Sequence, residues 1–392
     1  MITVFASPPP ELRVRGHPVN AFHFYGIAGL LAAAALSGLL AGRLALSVGA
    51  MMASVACGIG TMIVLAHASQ LLLGREVLVC YHHFAITSLV AAAVARMVGV
   101  PVVPHVAAFV LGFMMVHGIG RLGCFSVGCC HGRPSRWGVR YGAAHVEAGF
   151  GAYLAGVPLV PVQLFEAVVA LSIGAVGASA LLHGSRAEDV LLGTVTAYAL
   201  LRLATEFQRG DPDRWRFGPL TETQWTSLLL LLATTVVAWA TQARPRGAIG
   251  LVSVGASLAV AGWAWDGRRR PWRELLEPDH MLEVAGALAI VCGDAGVRPV
   301  SSMPDLHVAT TSCGISLSSS ELARDEDFER QYTMSRAFTA LGEQEARRLA
   351  ALVMQLRHPG KNGTVLRARR TDAFHLLVGR DAVGPGAAGA HP

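Results

Sequence analysis

The sequence predicts an all-α polytopic membrane protein: seven transmembrane helices with an eighth candidate, followed by a small soluble α+β domain at the C-terminus. Three observations predict it. The chain is 53% hydrophobic, with a mean hydropathy of +0.47. Only 15% of its 392 residues are charged, where soluble proteins carry about a quarter. Apolar runs long enough to cross about 30 Å of hydrocarbon recur from residue 24 to residue 266.

Residues 1–21 form a polar, proline-rich segment with no cleavable signal peptide evident. Residues 22–245 form the membrane domain, with spans expected at 24–41, 45–73 (overlong, so tilted or partly interfacial), 84–100, 103–119, 162–182, 188–207 and 224–241. Residues 246–266 hold the eighth candidate, transmembrane or interfacial. Many runs are rich in Ala and Gly, which lets helices approach closely where lipid offers no hydrophobic drive for packing. Arg43, Arg96 and Arg186, with the "QARPRG" stretch, fall in alternate loops; placing these in the cytoplasm sets the N-terminus and the 120–160 loop outside.

From 267 to 392 about a third of the chain carries about half of its charged residues. "ALGEQEARRLAALVMQLRHPG" reads as an amphipathic helix closed by Pro-Gly, while "HVATTSCGISLSS" and "TVLRARRTDAFHLLVGR" alternate like strands. A frayed "GPGAAGAHP" tail ends the sequence. The Arg268–Arg270 run places this domain in the cytoplasm, provided the eighth candidate does not cross.

The net charge of +6 comes almost wholly from arginine, Lys361 being the sole lysine. No basic run is interleaved with aromatics, which excludes a nucleic-acid reader. Seven cysteines without a CxxC pair argue against a zinc ribbon or a thioredoxin-like site.

Ionisable groups within or beside membrane spans are costly and so mark candidate sites. "CYHHFA" puts Tyr81, His82 and His83 at the mouth of the third span. A histidine there can take a proton from a thiol or hydroxyl, or simply anchor the helix end. Gln163 and Glu166 open the fifth span behind Pro161, where a carboxylate suits the helix dipole. Arg202, Glu206 and Arg209 stand at i, i+4 and i+7, with Tyr198 a turn earlier. Two arginines around one glutamate can grip a phosphate bidentately, or pair among themselves to lock helices.

"GRLGCFSVGCCHGRPSRWG", residues 120–138, combines Arg121 with Gly120, Gly123, Gly128 and Gly132, which free the backbone to bend around a ligand. Cys124, Cys129, Cys130 and His131 lack the two-residue spacing usual for a tetrahedral zinc site. A disulfide in an oxidising compartment and plain packing are the other readings. No metal and no cofactor is expected.

These residues resemble one family, the prolipoprotein diacylglyceryl transferases of bacterial plasma membranes, from about residue 20 to residue 245. "GRLGCFSVGCCHGRP" parallels the family's Gly-Arg-x-Gly-Asn-Phe-x-Asn-x-Glu-x-x-Gly. "PVQLFEA", "YALLRLATEFQR", "TQWTSL" and the "FYG" containing Tyr25 are similar to further family segments, in the same order. The resemblance implies transfer of the diacylglyceryl unit of phosphatidylglycerol to the cysteine thiol of a lipoprotein precursor or a related acceptor. It implies that Arg121 holds the lipid headgroup, with Arg202 and Glu206 shaping the pocket and Arg209, Tyr25 and Tyr198 nearby. His82, with neighbouring His83, stands where the family's candidate base lies. Gln163, Glu166, Gly120, Gly123 and Gly132 are expected to orient the site. The enzyme is expected to be a monomer of the bacterial inner membrane, its pocket near the outer leaflet, with membrane lipid and no nucleic acid as partner. Three departures stand out: Cys124 replaces the family asparagine, Cys129 replaces its glutamate, and the domain after 267 has no counterpart. A membrane scaffold that holds anionic lipid and presents that domain is the alternative function.

Overall fold

The computed structural model describes residues 4–73, 80–212, 214–268, 271–293, 308–322, 327–337, 340–368 and 372–380. The "GPGAAGAHP" tail and Arg269 and Arg270 lie outside the described residues.

The N-terminal segment is not irregular. β1 (Val4–Ala6) is followed by a hairpin of β2 (Glu11–Val14) and β3 (His17–Asn20). Asn20 then caps α1 (Ala21–Arg43), its side chain accepting from Phe22 N at 2.9 Å. α2 (Val48–Leu73), α3 (Cys80–Val98) and α4 (Val102–Val127) follow. α4 runs past its expected end at 119 through Arg121 and Cys124, and Gly128 stops it with φ of 82°, a left-handed cap suited to glycine. Gly120 and Gly123 therefore sit inside a helix, not in the bent loop that the sequence suggested.

Beyond α4, β4 (Pro134–Arg140) pairs parallel with β1. A short α5 (Ala143–Glu147) and a 3₁₀ turn at Ala152–Leu154 complete a folded cap before α6 (Val162–Leu182). α7 (Ala187–Glu206), a small hairpin of β5 (Arg216–Phe217) and β6 (Leu220–Thr221), α8 (Glu222–Ala240) and α9 (Arg246–Arg268) complete the bundle. Thr221 and Gln224 close a capping box at the start of α8. Where helices cross, small residues allow near contact: a Cβ on Gly112 of α4 would stand 2.2 Å from Ser37 Oγ of α1.

By length and hydropathy, six helices among the described residues can cross a membrane: α1, α2, α4, α6, α8 and α9. α3 and α7 fall outside that set. α3 opens on Tyr81, His82 and His83, and α7 carries Glu188, Asp189, Arg202 and Glu206.

The C-terminal domain holds α10 (Pro278–Val291), β7 (Val308–Thr310), β8 (Ile315–Glu321), β9 (Phe328–Arg336), α11 (Glu343–Arg357), β10 (Gly363–Arg367) and β11 (Ala373–Gly379). Its strands form one antiparallel sheet in the order β10-β11-β9-β8-β7. The helix expected near 340–360 is α11. The two expected strand stretches each divide into a pair of strands, and β9 and α10 come in addition.

Its position corrects one expectation. Leu288, Ile315, Met334 and Leu349 of the domain share a single apolar core with Phe125, Val139, Tyr141 and Leu159 of the α4 end and the cap. Arg133 of the cap donates from Nη1 to Leu276 O at 3.2 Å and lies 3.6 Å from Glu277. α9 explains this: it packs along α8 through Thr235 Oγ1 to Ser253 Oγ at 2.9 Å. At its far end Trp263 meets Phe207, just past α7, at 4.8 Å between rings. The chain thus returns to the side where α4 ended. The 120–160 loop outside and the C-terminal domain in the cytoplasm cannot both hold, because the two are packed together.

Candidate functional site

Glu166 is the hub. It lies in the second turn of α6, 1% exposed, past the N-terminal position suited to dipole capping. Arg121 of α4 pairs through Nε with Glu166 Oε2, and Arg202 of α7 through Nη1 with Glu166 Oε1. Thr205 Oγ1 donates to that second oxygen at 2.6 Å. Both guanidiniums are buried, at 7% and 3% exposure. A buried ion so placed must be paired and hydrogen-bonded to be tolerated, and Glu166 does this for two cations at once.

Glu206, the last residue of α7, is a second hub. Arg214 Nη1 donates to its Oε1 at 2.7 Å and Thr221 Oγ1 at 2.9 Å. Arg202 Nη2 stands 3.9 Å and Arg209 Nη1 4.0 Å from its Oε2. The helix ends here, so Arg209 does not continue the expected stripe. It sits in the loop beyond, where its backbone bridges Gly132 and its guanidinium grips Asp211 with two hydrogen bonds of 2.9 and 2.6 Å. Burial weakens the Arg209 cation, but Cys130 and Asp211 outweigh it and hold its pKa well above the ordinary value. Arg121, Arg202, Arg209 and Arg214 thus gather around Glu166, Glu206 and Asp211, with Cys130 beside Arg209. Guanidiniums so gathered can grip a phosphate.

The aromatic wall behind Arg202 comes from several helices. Tyr198, fully buried, meets Tyr81 at 5.4 Å and His117 at 5.2 Å, edge to face. Arg202 lies over the Tyr81 ring at 5.9 Å, within cation–π range. Tyr81 also shares a 2.6 Å hydrogen bond with Ser227 of α8. His82 points elsewhere: its Nε2 meets Glu222 Oε1 at 2.9 Å at the start of α8, with half of its side chain exposed. His83 is buried. Tyr25 of α1 packs over Gly123, whose added Cβ would lie 3.2 Å from Tyr25 Cβ and 3.0 Å from Phe22 Cα. Gly123 is thus a helix-contact residue, and Gly120 has open space around it.

The cap holds the cysteines. Gln163 donates from Nε2 to Cys129 O at 2.8 Å. Gly132 passes so close to the segment leading into α6 that an added Cβ would fall 2.3 Å from Val160 O. The sulfurs of Cys124, Cys129 and Cys130 all lie within 4.8 Å of one another, which the CxxxxCC spacing did not suggest. Hydrogen bonds within the trio hold the Cys130 thiol well below its ordinary pKa and push Cys129 up. His131 turns away from the trio: its Nδ1 meets Gly132 O at 2.9 Å, and burial lowers its pKa.

An apolar groove lined by Leu30, Val55, Met62, Phe109, Phe113 and Val116 lies deeper, between α1, α2 and α4. Arg121 stands five residues beyond Val116 on α4, about 7.5 Å along the axis and about 140° around it, so it faces α6 while Val116 faces α1.

The sequence model of the prolipoprotein diacylglyceryl transferases matches residues 23–240. The chain belongs to this family. It is 30% identical over 126 residues to phosphatidylglycerol–prolipoprotein diacylglyceryl transferase 2 of Clostridium perfringens, covering 31% of this chain and 45% of the relative. It is 30% identical over 135 residues to the phosphatidylglycerol–prolipoprotein diacylglyceryl transferase of Clostridium tetani, covering 33% of this chain and 48% of that one. The similarity thus spans about half the length of these curated relatives. The family match takes in Glu166, Arg121 and Arg202 and ends before α9 and the sheet domain.

Several residues of the site were not singled out from the sequence. His117 stands one helical turn before Arg121, and Thr205 follows Arg202 by three, so periodicity could have found both. Arg214 and Thr221 come from the irregular segment after α7, where no periodicity operates.

Proposed function

We propose that this protein transfers the diacylglyceryl unit of phosphatidylglycerol to the thiol of a lipoprotein precursor or related acceptor in the bacterial inner membrane. The observation that carries this is the convergence of Arg121 and Arg202, from separate helices, on the buried Glu166. The thiolate sulfur bonds to the terminal glyceryl carbon, the carbon–oxygen bond to phosphate breaks, and its electron pair leaves on glycerol phosphate. A diester thereby becomes a monoester, and the added negative charge needs fixed cations where it develops. Arg121 and Arg202 supply them, and Glu166 and Thr205 keep the Arg202 fork in one orientation. His82 is the candidate base: its ring has to swing from Glu222 toward the pocket to take the thiol proton.

In this reading α3 and α7 also cross the bilayer, making eight crossings, because polar residues at their ends line the pocket instead of facing lipid. The pocket, the cap and the C-terminal domain then share the outer side.

The test is the purified protein in vesicles with labelled phosphatidylglycerol and a cysteine-containing lipobox peptide. Thioether-linked diacylglyceryl peptide is expected, and Arg121→Ala abolishes it. Absence of product, with a family member active alongside, overturns the proposal. One observation favours a second reading: the C-terminal domain is packed directly on the cap, as a scaffold presenting it would require. That reading predicts phosphatidylglycerol retained through purification, lost in Arg121→Ala, with no turnover in either form.

A further inference from the structure

The three sulfurs of Cys124, Cys129 and Cys130 converge to within 4.8 Å of one another. A soft cation bonded to three thiolates at about 2.3 Å places those sulfurs about 4 Å apart in a plane. The observed spread needs only small side-chain adjustments to reach that. We propose that Cys124, Cys129 and Cys130 form a three-thiolate site for one thiophilic cation, such as Zn(II), with a fourth position open to an incoming thiolate.

The backbone is built toward this arrangement. Cys124 is fixed in the last turn of α4 and buried. Gly128 then reverses the chain, and Cys130 adopts φ of 53°, a left-handed conformation that a residue with a Cβ adopts at a cost. Together these turns return two adjacent cysteines to the same point as Cys124, which an extended or helical continuation could not do. Gln163 anchors the Cys129 carbonyl from α6. Cys129 is exposed while Cys124 is buried, so an ion has a route in and one side stays open.

The charge also fits. Three thiolates and one divalent cation carry a net charge of about −1. Arg121 Nη1 reaches Cys124 Sγ at 4.0 Å, and Arg209, partly buried, is held in the adjoining loop. Cations close to thiolates favour the charged form that binds metal. Packing residues would not need charge nearby, and a disulfide would use only two of the three sulfurs.

The open position has a chemical consequence that rests on the function proposed above. A thiol that coordinates such an ion loses its proton outright, the proton passing to solvent. The acceptor would then be held as thiolate next to Arg121.

The experiment uses the full-length reduced protein in micelles, stripped with a chelator and titrated with Zn(II) against a chromophoric competitor. One ion per chain is expected. X-ray absorption should show three sulfur ligands, rising to four when a cysteine-containing lipobox peptide is added and unchanged with its serine counterpart. Cys124→Ser, Cys129→Ser and Cys130→Ser should each weaken binding by more than about 100-fold, the upper end seen when only an outer partner of a ligand is lost. Cys57→Ser and Cys313→Ser should leave it unchanged. Because Cys124→Ser sits in a helix core, protection of Cys129 and Cys130 from alkylation by Zn(II) in the unmutated protein provides a second readout. Failure of the reduced, folded protein to bind, or binding that survives all three substitutions, overturns the site. A sulfur count that stays at three with peptide overturns the open position. Neither outcome depends on transfer activity, so loss of the transfer reaction with intact metal binding counts against the proposed function alone.

Discussion

Arg121 on α4 and Arg202 on α7 meet at the two oxygens of one carboxylate, Glu166 on α6. Three helices distant in sequence are thereby tied at one depth, and the cations are held apart by the anion that they share. Glu166→Ala should therefore do more than alter a surface charge. It strands two buried guanidiniums, and removing one partner of a buried pair typically costs about 3–5 kcal/mol. Glu166→Gln keeps the shape and one carbonyl acceptor and should cost less. Denaturation in mixed micelles measures both; equal, small effects would show that the pairing does not hold the helices.

The domain–cap interface makes a second prediction. Arg133 donates to Leu276 O and approaches Glu277, which Arg216 also engages. These groups are partly exposed, so the ionic part is discounted for screening. Arg133→Ala should destabilise domain docking by about 1–2 kcal/mol, chiefly through the lost hydrogen bond to Leu276. Limited proteolysis should then cut faster between residues 268 and 278, leaving the bundle resistant. An unchanged cleavage rate would mean that the shared apolar core alone holds the domain.

The membrane class was legible because hydropathy is a bulk property of long runs, and α1, α6 and α8 fall close to their expected limits. The end of α4 was not, since glycines within 120–132 suggested a bend where only Gly128 makes one. Arg121 and Arg202 stood out as charges in apolar surroundings. Their meeting point did not, because Glu166 beside Pro161 has an equally good local explanation at a helix start. Arg209 was misplaced because periodicity continues on paper after a helix has ended. That the C-terminal domain shares a side with the cap was missed for a different reason. Arginine runs are a weak guide in a chain whose charge is nearly all arginine, and the deciding contacts between Leu349 and the cap core are tertiary.

His131 gives a pH dependence. Burial lowers its pKa from the ordinary 6.5, so the folded state favours the neutral ring. Above 6.5 folded and unfolded chains both hold it neutral, and its contribution to stability is fully present. As the pH falls below 6.5 the unfolded chain takes up the proton first, and stability declines until the lowered folded pKa is reached. His131→Gln should flatten the stability profile below pH 6.5 while leaving the slope above pH 7 unchanged. Chemical denaturation across that range measures it, and an identical slope in the variant would remove His131 as the cause.

Lys361, the sole lysine of the chain, offers a test of sidedness. It lies in the C-terminal domain, next to Glu329 at 2.9 Å. A second lysine placed by Glu147→Lys would lie in the cap, at an exposed position. Because the domain and the cap share one apolar core, the two amines must lie on the same side of the bilayer. A membrane-impermeant amine reagent applied to spheroplasts should modify both before permeabilisation or neither, as read by mass spectrometry. If both react, the domain faces outward with the cap, against the side that the arginines after α9 favour in the sequence. If neither reacts until the membrane is opened, the whole bundle is inverted relative to the loop arginines. Labelling of one without the other would separate the domain from the cap, and with it the return of α9 to the side of the site.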